Sequence, residues 1–190
     1  TSGNNNTASG HQTLRDNTTG TNNSAFGAYS LYDNTTGRYN SANGTSTLFS
    51  NTTGDYNTAN GYRALYSNAA GDNNTAIGAL SLNDNTTGSD NSASGSYSLR
   101  NNTTGLRNTA IGFNSGNLTG AFAPNETSNN SVYIGAYSKA LVSGGSNEIV
   151  IGANAVGAGS NTVVLGSDSI TKTVLKGAIE ASEICDETGS

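Results

Sequence analysis

The chain is 190 residues long, 33% apolar and 11% charged, with 25 glycines, one proline, and neither Met nor Trp. Its net charge of −5, with no cluster of Lys or Arg, excludes a nucleic-acid-binding face, which needs cations to displace counterions from phosphates. Low hydrophobicity without high charge or abundant proline argues for a hydrogen-bonded β architecture over disorder, and no apolar run approaches the ~20 residues of a membrane helix.

Glycine sets the first signal along the chain. It recurs at Gly3, Gly20, Gly37, Gly54, Gly71, Gly88 and Gly105, at a constant period of 17 that marks a repeat architecture. The unit reads G-x-x-N-[ST]-A-x-G-x-x-[STA]-L-x-x-N-T-T. Alanine holds position six throughout: Ala8, Ala25, Ala42, Ala59, Ala76, Ala93 and Ala110. Leucine holds position twelve: Leu14, Leu31, Leu48, Leu65, Leu82 and Leu99. The phrase N-T-T-G has the residue preferences of a type I turn, and the fixed glycine at position eight supplies a positive φ or a close backbone approach. The runs between these breaks are too short for helices. Residues 1–112 are therefore expected to form a β-solenoid with two short strands and two turns per coil. About ten coils along the chain would make a rod roughly 45–50 Å long.

The next glycine in phase after Gly112 is Gly135, so this stretch carries 23 − 17 = 6 extra residues. Residues 113–130 read as one coil with a protruding loop. Its candidate recognition residues are Phe113, Asn114, Phe122, Pro124 and Asn125, since loops on rigid scaffolds often carry binding. A tolerated insertion is the plainer reading. Residues 131–177 read as 14- to 17-residue repeats: the phrases NSVYIG (130–135), NEIVIG (147–152) and NTVVLG (161–166) return, the last two offset by 14 in sequence. The alternation Val132/Ile134, Ile149/Ile151 and Val163/Leu165 marks half-buried strands. Residues 178–190 are expected to be an exit strand and polar tail toward a further C-terminal domain. They hold Cys185, which has no internal disulfide partner. The chain opens in mid-phrase with no leader pattern, as an excised piece would.

Each 17-residue unit offers one Leu, one Ala and an inconstant third apolar residue, little burial to set against ordering the whole unit. An unvarying Ala also suggests a place where backbones approach too closely for a larger side chain. Both points favour several chains packed around one axis.

The segments NSVYIGAYSKAL and NEIVIGANAVGAGSNTVVLG and the NTAIG units resemble the head repeats of trimeric autotransporter adhesins. Similar repeats occur in trimeric bacteriophage tail fibres and tail-fibre-like bacterial fibre proteins. GSNTVVLGSDSITKTVLKG is similar to the end of such regions, and the likeness covers roughly residues 3–177. The resemblance implies an all-β, left-handed parallel β-roll or β-solenoid, homotrimeric around a common axis, outside the cell on a bacterial surface or a virion tail fibre. The implied partners are further copies of the chain and a target cell-surface glycan or protein, with no nucleic acid and no membrane insertion by this segment. The departure is the 17-residue period with Thr7, Ser24, Ser41, Thr58, Thr75, Ser92 and Thr109 in place of Val, which should make the first hundred residues more polar inside.

Little in the chain could do chemistry. Acidic residues are scattered singly, and Asp16, Asp33 and Asp84 stand before N-T-T as turn formers, whereas glycoside hydrolysis needs two carboxylates about 5–10 Å apart. His11 is the only histidine, which excludes triads and His-based metal sites. GGSNEIVIG lacks the Asp of the calcium nonapeptide. No catalytic residue, metal or cofactor is expected. The Asn-x-Ser/Thr sequons follow from composition.

A solenoid displays each repeat position as a column. Position thirteen reads Arg15, Tyr32, Phe49, Tyr66, Asn83, Arg100; position three adds Tyr39 and Tyr56, and Tyr62 and Arg63 lie close by. These residues are the candidate receptor surface, flat aromatic faces with polar neighbours being suited to sugars. The plainer reading is a stack that stiffens the rod. The column Thr18, Thr35, Thr52, Thr86, Thr103, interrupted by Ala69, raises ice binding as a minor alternative. The leading expectation is a trimeric fibre or adhesin module that is a rigid rod and contributes to target recognition. The second is a pure spacer whose tip lies outside this chain, and an enzymatic solenoid ranks below both.

Overall fold

Each coil contributes one three-residue strand centred on repeat position six. The structure, a computed structural model, describes residues 3–174. The strands are β1 (Thr7–Ser9), β2 (Ser24–Phe26), β3 (Ser41–Asn43), β4 (Thr58–Asn60), β5 (Thr75–Ile77), β6 (Ser92–Ser94), β7 (Thr109–Ile111), β8 (Val132–Ile134), β9 (Ile149–Ile151) and β10 (Val163–Leu165). They form one parallel sheet in chain order, and no helix occurs among the described residues. The chain is an all-β parallel β-solenoid. Residues 178–190, with Cys185 and the expected exit strand, lie outside the described residues.

Register carries the repeat directly into space. Ala25 pairs with Ala42, Ala42 with Ala59 and Ala59 with Ala76, each one repeat further along the chain. The step in residue number widens to 23 where Thr109 meets Val132, and narrows to 14 where Ile149 meets Val163. Both changes occur inside one unbroken sheet. Nine steps at the strand spacing of about 4.8 Å give a rod roughly 43 Å long.

Among the described residues the expected second strand per coil is absent. Positions ten and twelve both adopt left-handed backbone, as at Ser46 (φ 55°) with Leu48 (φ 50°) and Arg63 (φ 54°) with Leu65 (φ 52°). That conformation cannot extend into a strand. Hydrogen bonding between coils nevertheless continues there: Leu48 N donates to Ala64 O at 3.0 Å, and Ser50 N to Tyr66 O at 2.9 Å. A left-handed L-residue costs about 1–2 kcal/mol. Leu31, Leu48, Leu65, Leu82 and Leu99 are all buried, which offsets that cost, while Leu14 in the terminal coil is half-buried.

The inside of each 17-residue coil holds the Ala and Leu columns and two columns of asparagine. At position fifteen, Asn51 Nδ2 donates to Asn34 Oδ1 at 2.8 Å, and Asn68 Nδ2 to Asn51 Oδ1 at 2.9 Å. At position four, Asn57 Nδ2 donates to Gly71 O at 2.8 Å, while its Oδ1 accepts from the backbone N–H of Asn74 at 3.0 Å. The N-T-T-G asparagine is thus a member of an internal amide ladder as well as a turn former.

Two expectations are corrected by this arrangement. The position-five Thr and Ser residues are half-buried or exposed on the outer face, so the polar interior comes from asparagine instead. The position-six alanines are buried inside a single coil from Ala25 onward, with Ala8 exposed at the terminal strand, so their small size is set within one chain and not by contact between chains. In β8 and β9 the strands are half-buried as expected, with the central residue, Tyr133 or Val150, inside and the alternating Val and Ile facing outward. A third correction concerns the loop. Its protruding part is a hairpin closed by a Leu118–Pro124 bridge, with Thr119 N donating to Ala123 O at 2.8 Å. Asn125 is buried and bonded, donating to Gly116 O at 3.0 Å and accepting from Ser128 Oγ at 2.7 Å, so it is removed from the recognition candidates.

Position eight requires glycine for two reasons at once. Gly61 has φ +136°, and a Cβ there would stand 2.6 Å from the Gly78 carbonyl oxygen.

Candidate recognition surface

In-register stacking brings the position-thirteen aromatics face to face. Tyr32 and Phe49 stack at 4.8 Å between centroids with planes 8° apart, and Phe49 and Tyr66 at 5.1 Å and 16°. The guanidinium of Arg15 lies 3.7 Å from the centre of the Tyr32 ring, and that of Arg63 lies 4.1 Å from Tyr66. Both ends of the stack are therefore closed by cations. Arg100 is not part of it: Asn83 breaks the column, donating to the Arg63 carbonyl at 2.9 Å, and Arg100 lies beside Tyr97 at 5.5 Å.

Two further residues join the stack that the position-thirteen column does not contain. Tyr29 tilts against Tyr32 at 5.7 Å, and His11 meets Tyr29 edge-on at 5.4 Å. Tyr29 stands at position ten, where the backbone is left-handed (φ 58°), and His11 at position nine of the preceding coil. Arg15 also holds Asp16 through two 2.8 Å hydrogen bonds, which keep the Asp16 carboxyl below its ordinary range and raise the Arg15 guanidinium. Asp33 shifts the other way, raised by partial burial first and by the Asp16 charge second.

Position three forms a separate and more open pair. Tyr39 and Tyr56 stack at 4.8 Å with planes 5° apart and remain 49% and 56% exposed, with no cation over either ring. Tyr62 is equally exposed but joins no stack. Near the loop, Phe122 is the most exposed large apolar residue among those described, at 71%, with Lys139 Nζ 3.9 Å from its ring centre. Phe113 packs edge-on between Tyr97 and Tyr137 at 5.7 and 5.3 Å. Asn114 accepts from Asn117 at 2.6 Å, and Pro124 is exposed beside the hairpin bridge.

The outer face of the sheet changes character along the rod. From β1 to β6 it carries Thr, Ser and Asn with isolated Phe26 and Ile77; from β7 to β10 it carries Ile111, Val132, Ile134, Ile149, Ile151, Val163 and Leu165. At the far end Val163 is 61% and Leu165 50% exposed. The position-sixteen threonines do not present free hydroxyls: Thr35 Oγ1 donates to Thr52 O at 2.8 Å and Thr86 Oγ1 to Thr103 O at 3.0 Å.

Among the described residues no pocket opens and no three His, Cys, Asp or Glu side chains gather. The one fully buried carboxylate among them, Glu148, is a tie between coils, with Oε1 accepting from Gly159 N at 2.8 Å and Leu141 N at 3.3 Å. No protein-family model, curated protein or solved structure matches the chain.

Proposed function

We propose that this chain is a rod segment of an extracellular trimeric fibre or adhesin, and that its flank contributes to recognition of a target surface. The observation that supports assembly is the outward apolar strip on β7–β10. Seven Val, Ile and Leu side chains project there from consecutive strands, an arrangement that leaves apolar area to be covered by further copies of the chain. The Asn ladders support a rigid rod, because successive coils from Asn17 to Asn108 are tied together through buried amides as well as through backbone. The exposed Tyr39–Tyr56 pair supports recognition. A spacer role is the second reading, favoured by the cation-capped Tyr32–Phe49–Tyr66 stack, whose ring faces are already occupied.

The chain is read as non-enzymatic and without a cofactor. Carboxylates along the flank serve backbone groups: Asp55 Oδ1 accepts from Arg38 N and Asp72 Oδ1 from Asp55 N, both at 2.7 Å.

Sedimentation equilibrium of the full chain tests the assembly. A trimer is expected at micromolar concentration, and V163S with L165S should shift it toward monomer while the β signature of the rod persists. A folded wild-type monomer would reject the fibre reading. Deleting whole repeats from a tip-bearing fibre separates the two roles: lost reach with unchanged affinity means a spacer.

A further inference from the structure

We infer that the outer ring face of Tyr56, together with the Asn73 carboxamide, forms a subsite for a neutral hexopyranose unit. This inference rests on the recognition role proposed above and names its ligand.

The geometry begins with one column. Asn22, Tyr39, Tyr56 and Asn73 occupy position three of four successive coils, joined rung to rung by Tyr39 N to Thr21 O (3.1 Å), Tyr56 N to Arg38 O (3.0 Å) and Asn73 N to Asp55 O (3.0 Å). All four have φ between 56° and 58°, so their side chains leave the rod in one direction. The two rings cover each other's inner faces. The stack then stops, because the next residue on either side is a short asparagine. Each end of the pair is a ledge with one open aromatic face and the height of one coil, about 4.8 Å, above it. A flat sugar ring fits that height and would take the place of the missing third ring. The C–H face of a pyranose carries the weak positive charge that the negative face of an aromatic ring attracts.

The two ledges differ in what lines them. Beside Tyr39, the Asn22 amide is engaged, donating to Thr21 Oγ1 and accepting from Asn5 Nδ2, both at 3.3 Å. Beside Tyr56, Asn73 is exposed and its amide makes no side-chain hydrogen bond, which leaves a donor and an acceptor for sugar hydroxyls. Two carboxylates line this flank, Asp55 and Asp72, both bonded to backbone N–H groups, while Asp90 one coil further on is compensated by Arg107 at 3.8 Å. That charge favours a neutral sugar over a sialylated or uronic one. The other aromatics differ: Arg15 and Arg63 cover the position-thirteen stack, Lys139 lies over Phe122, and Tyr62, though as exposed as Tyr56, joins no stack and so forms no such ledge.

The test uses the assembled full chain against neutral gluco-, galacto- and manno-oligosaccharides and one sialylated oligosaccharide, read by ligand-observed saturation-transfer NMR and titration. Binding of at least one neutral probe is expected, with the sialylated probe weaker. Y56S should lose about tenfold or more and N73A about threefold, Y56F and Y66S should bind as wild type, and sedimentation should be unchanged. Binding that survives Y56S overturns the subsite and leaves the recognition role standing elsewhere on the rod. A wild-type trimer that binds none of the probes overturns the subsite while the fibre reading stands. A change of assembly state in Y56S overturns it too, because Tyr56 is then an interface residue.

Discussion

Asn51 donates its side-chain amide to Asn34 Oδ1 one coil below at 2.8 Å, and the same nitrogen reaches the Gly54 carbonyl at 3.0 Å. One side chain thereby closes its own turn and fastens it to the neighbouring coil. Repeated from Asn17 to Asn102, this relationship explains how a chain so poor in apolar residues fills the inside of a solenoid. A buried amide costs free energy when unbonded, and here the neighbours that satisfy it are the same residue one rung away.

The first prediction follows from the second ladder. Asn57→Ala removes one of the two amide donors to Gly71 O, the other being Asn68 Nδ2, and the acceptor that serves Asn74 N, leaving the buried Asn74 N–H without a partner. A loss of about 1–3 kcal/mol is expected by chemical denaturation for that orphaned group. Asn43→Ala, on the exposed outer face of β3, should stay within about 0.5 kcal/mol. Equal effects for the two variants would contradict the internal ladder.

The inside of the coil also sets the size of position six. Ala59 is 1% exposed and pairs with Ala42 and Ala76 on either side. Ala59→Leu should destabilise by about 1–3 kcal/mol through overpacking, whereas Thr58→Val, directed outward, should be near neutral. Thermal unfolding of the two variants distinguishes a coil interior from a contact between chains, because only the interior reading predicts that the cost is independent of protein concentration.

Much of this was legible in the spacing of glycine, alanine and leucine, which set the length of each coil and the pairing of Ala with Ala. Two features were not. In NSVYIG and NEIVIG every strand residue is apolar, so period two shows that faces alternate without showing which one is inside; register with Ala110, which places Tyr133 inward, decides it. Leucine disfavours left-handed backbone, so no local preference announces φ 50° at Leu48; burial of its side chain imposes it. The recognition candidates divide for a similar reason. Columns can be read from a repeat, and Arg15 over Tyr32 lies in one, but the cation cap on Tyr66 depends on where Arg63, from another column, comes to lie.

The left-handed leucines give a prediction in which two effects compete. Leu48→Gly relieves backbone strain worth about 1–2 kcal/mol but empties a fully buried site, at about 2–5 kcal/mol for loss of a leucine side chain. The cavity is the larger effect, so the variant should be less stable by roughly 1–3 kcal/mol. Ser46→Gly relieves the same kind of strain at a half-buried position with little to lose, and should be neutral or stabilising. A stabilised Leu48→Gly variant in denaturant titration would mean that the leucine column contributes little to holding the coils together.

Tyr133 ties stability to pH at the start of the 14- to 17-residue coils. Its phenol is fully buried, and its hydroxyl has no hydrogen-bond partner although Ser128, Ser131 and Asn125 lie near it. Burial raises its pKa above the ordinary value of about 10, with the nearby side chains lowering it in part and the Glu148 charge adding to the rise. For an acid whose folded pKa is raised, the neutral form is favoured in the fold. Its contribution is fully present below the unfolded pKa near 10 and is lost as pH rises through the folded value. The rod should therefore be insensitive to this group at neutral pH and weaken in alkali above about pH 10. Tyr133→Phe removes the titrating hydroxyl and an unpartnered polar atom together, so it should be at least as stable as wild type at pH 7 and shift the alkaline transition upward. Circular dichroism followed against pH for the two proteins measures both effects, and an unchanged transition in Tyr133→Phe would place the alkaline weakness in another group.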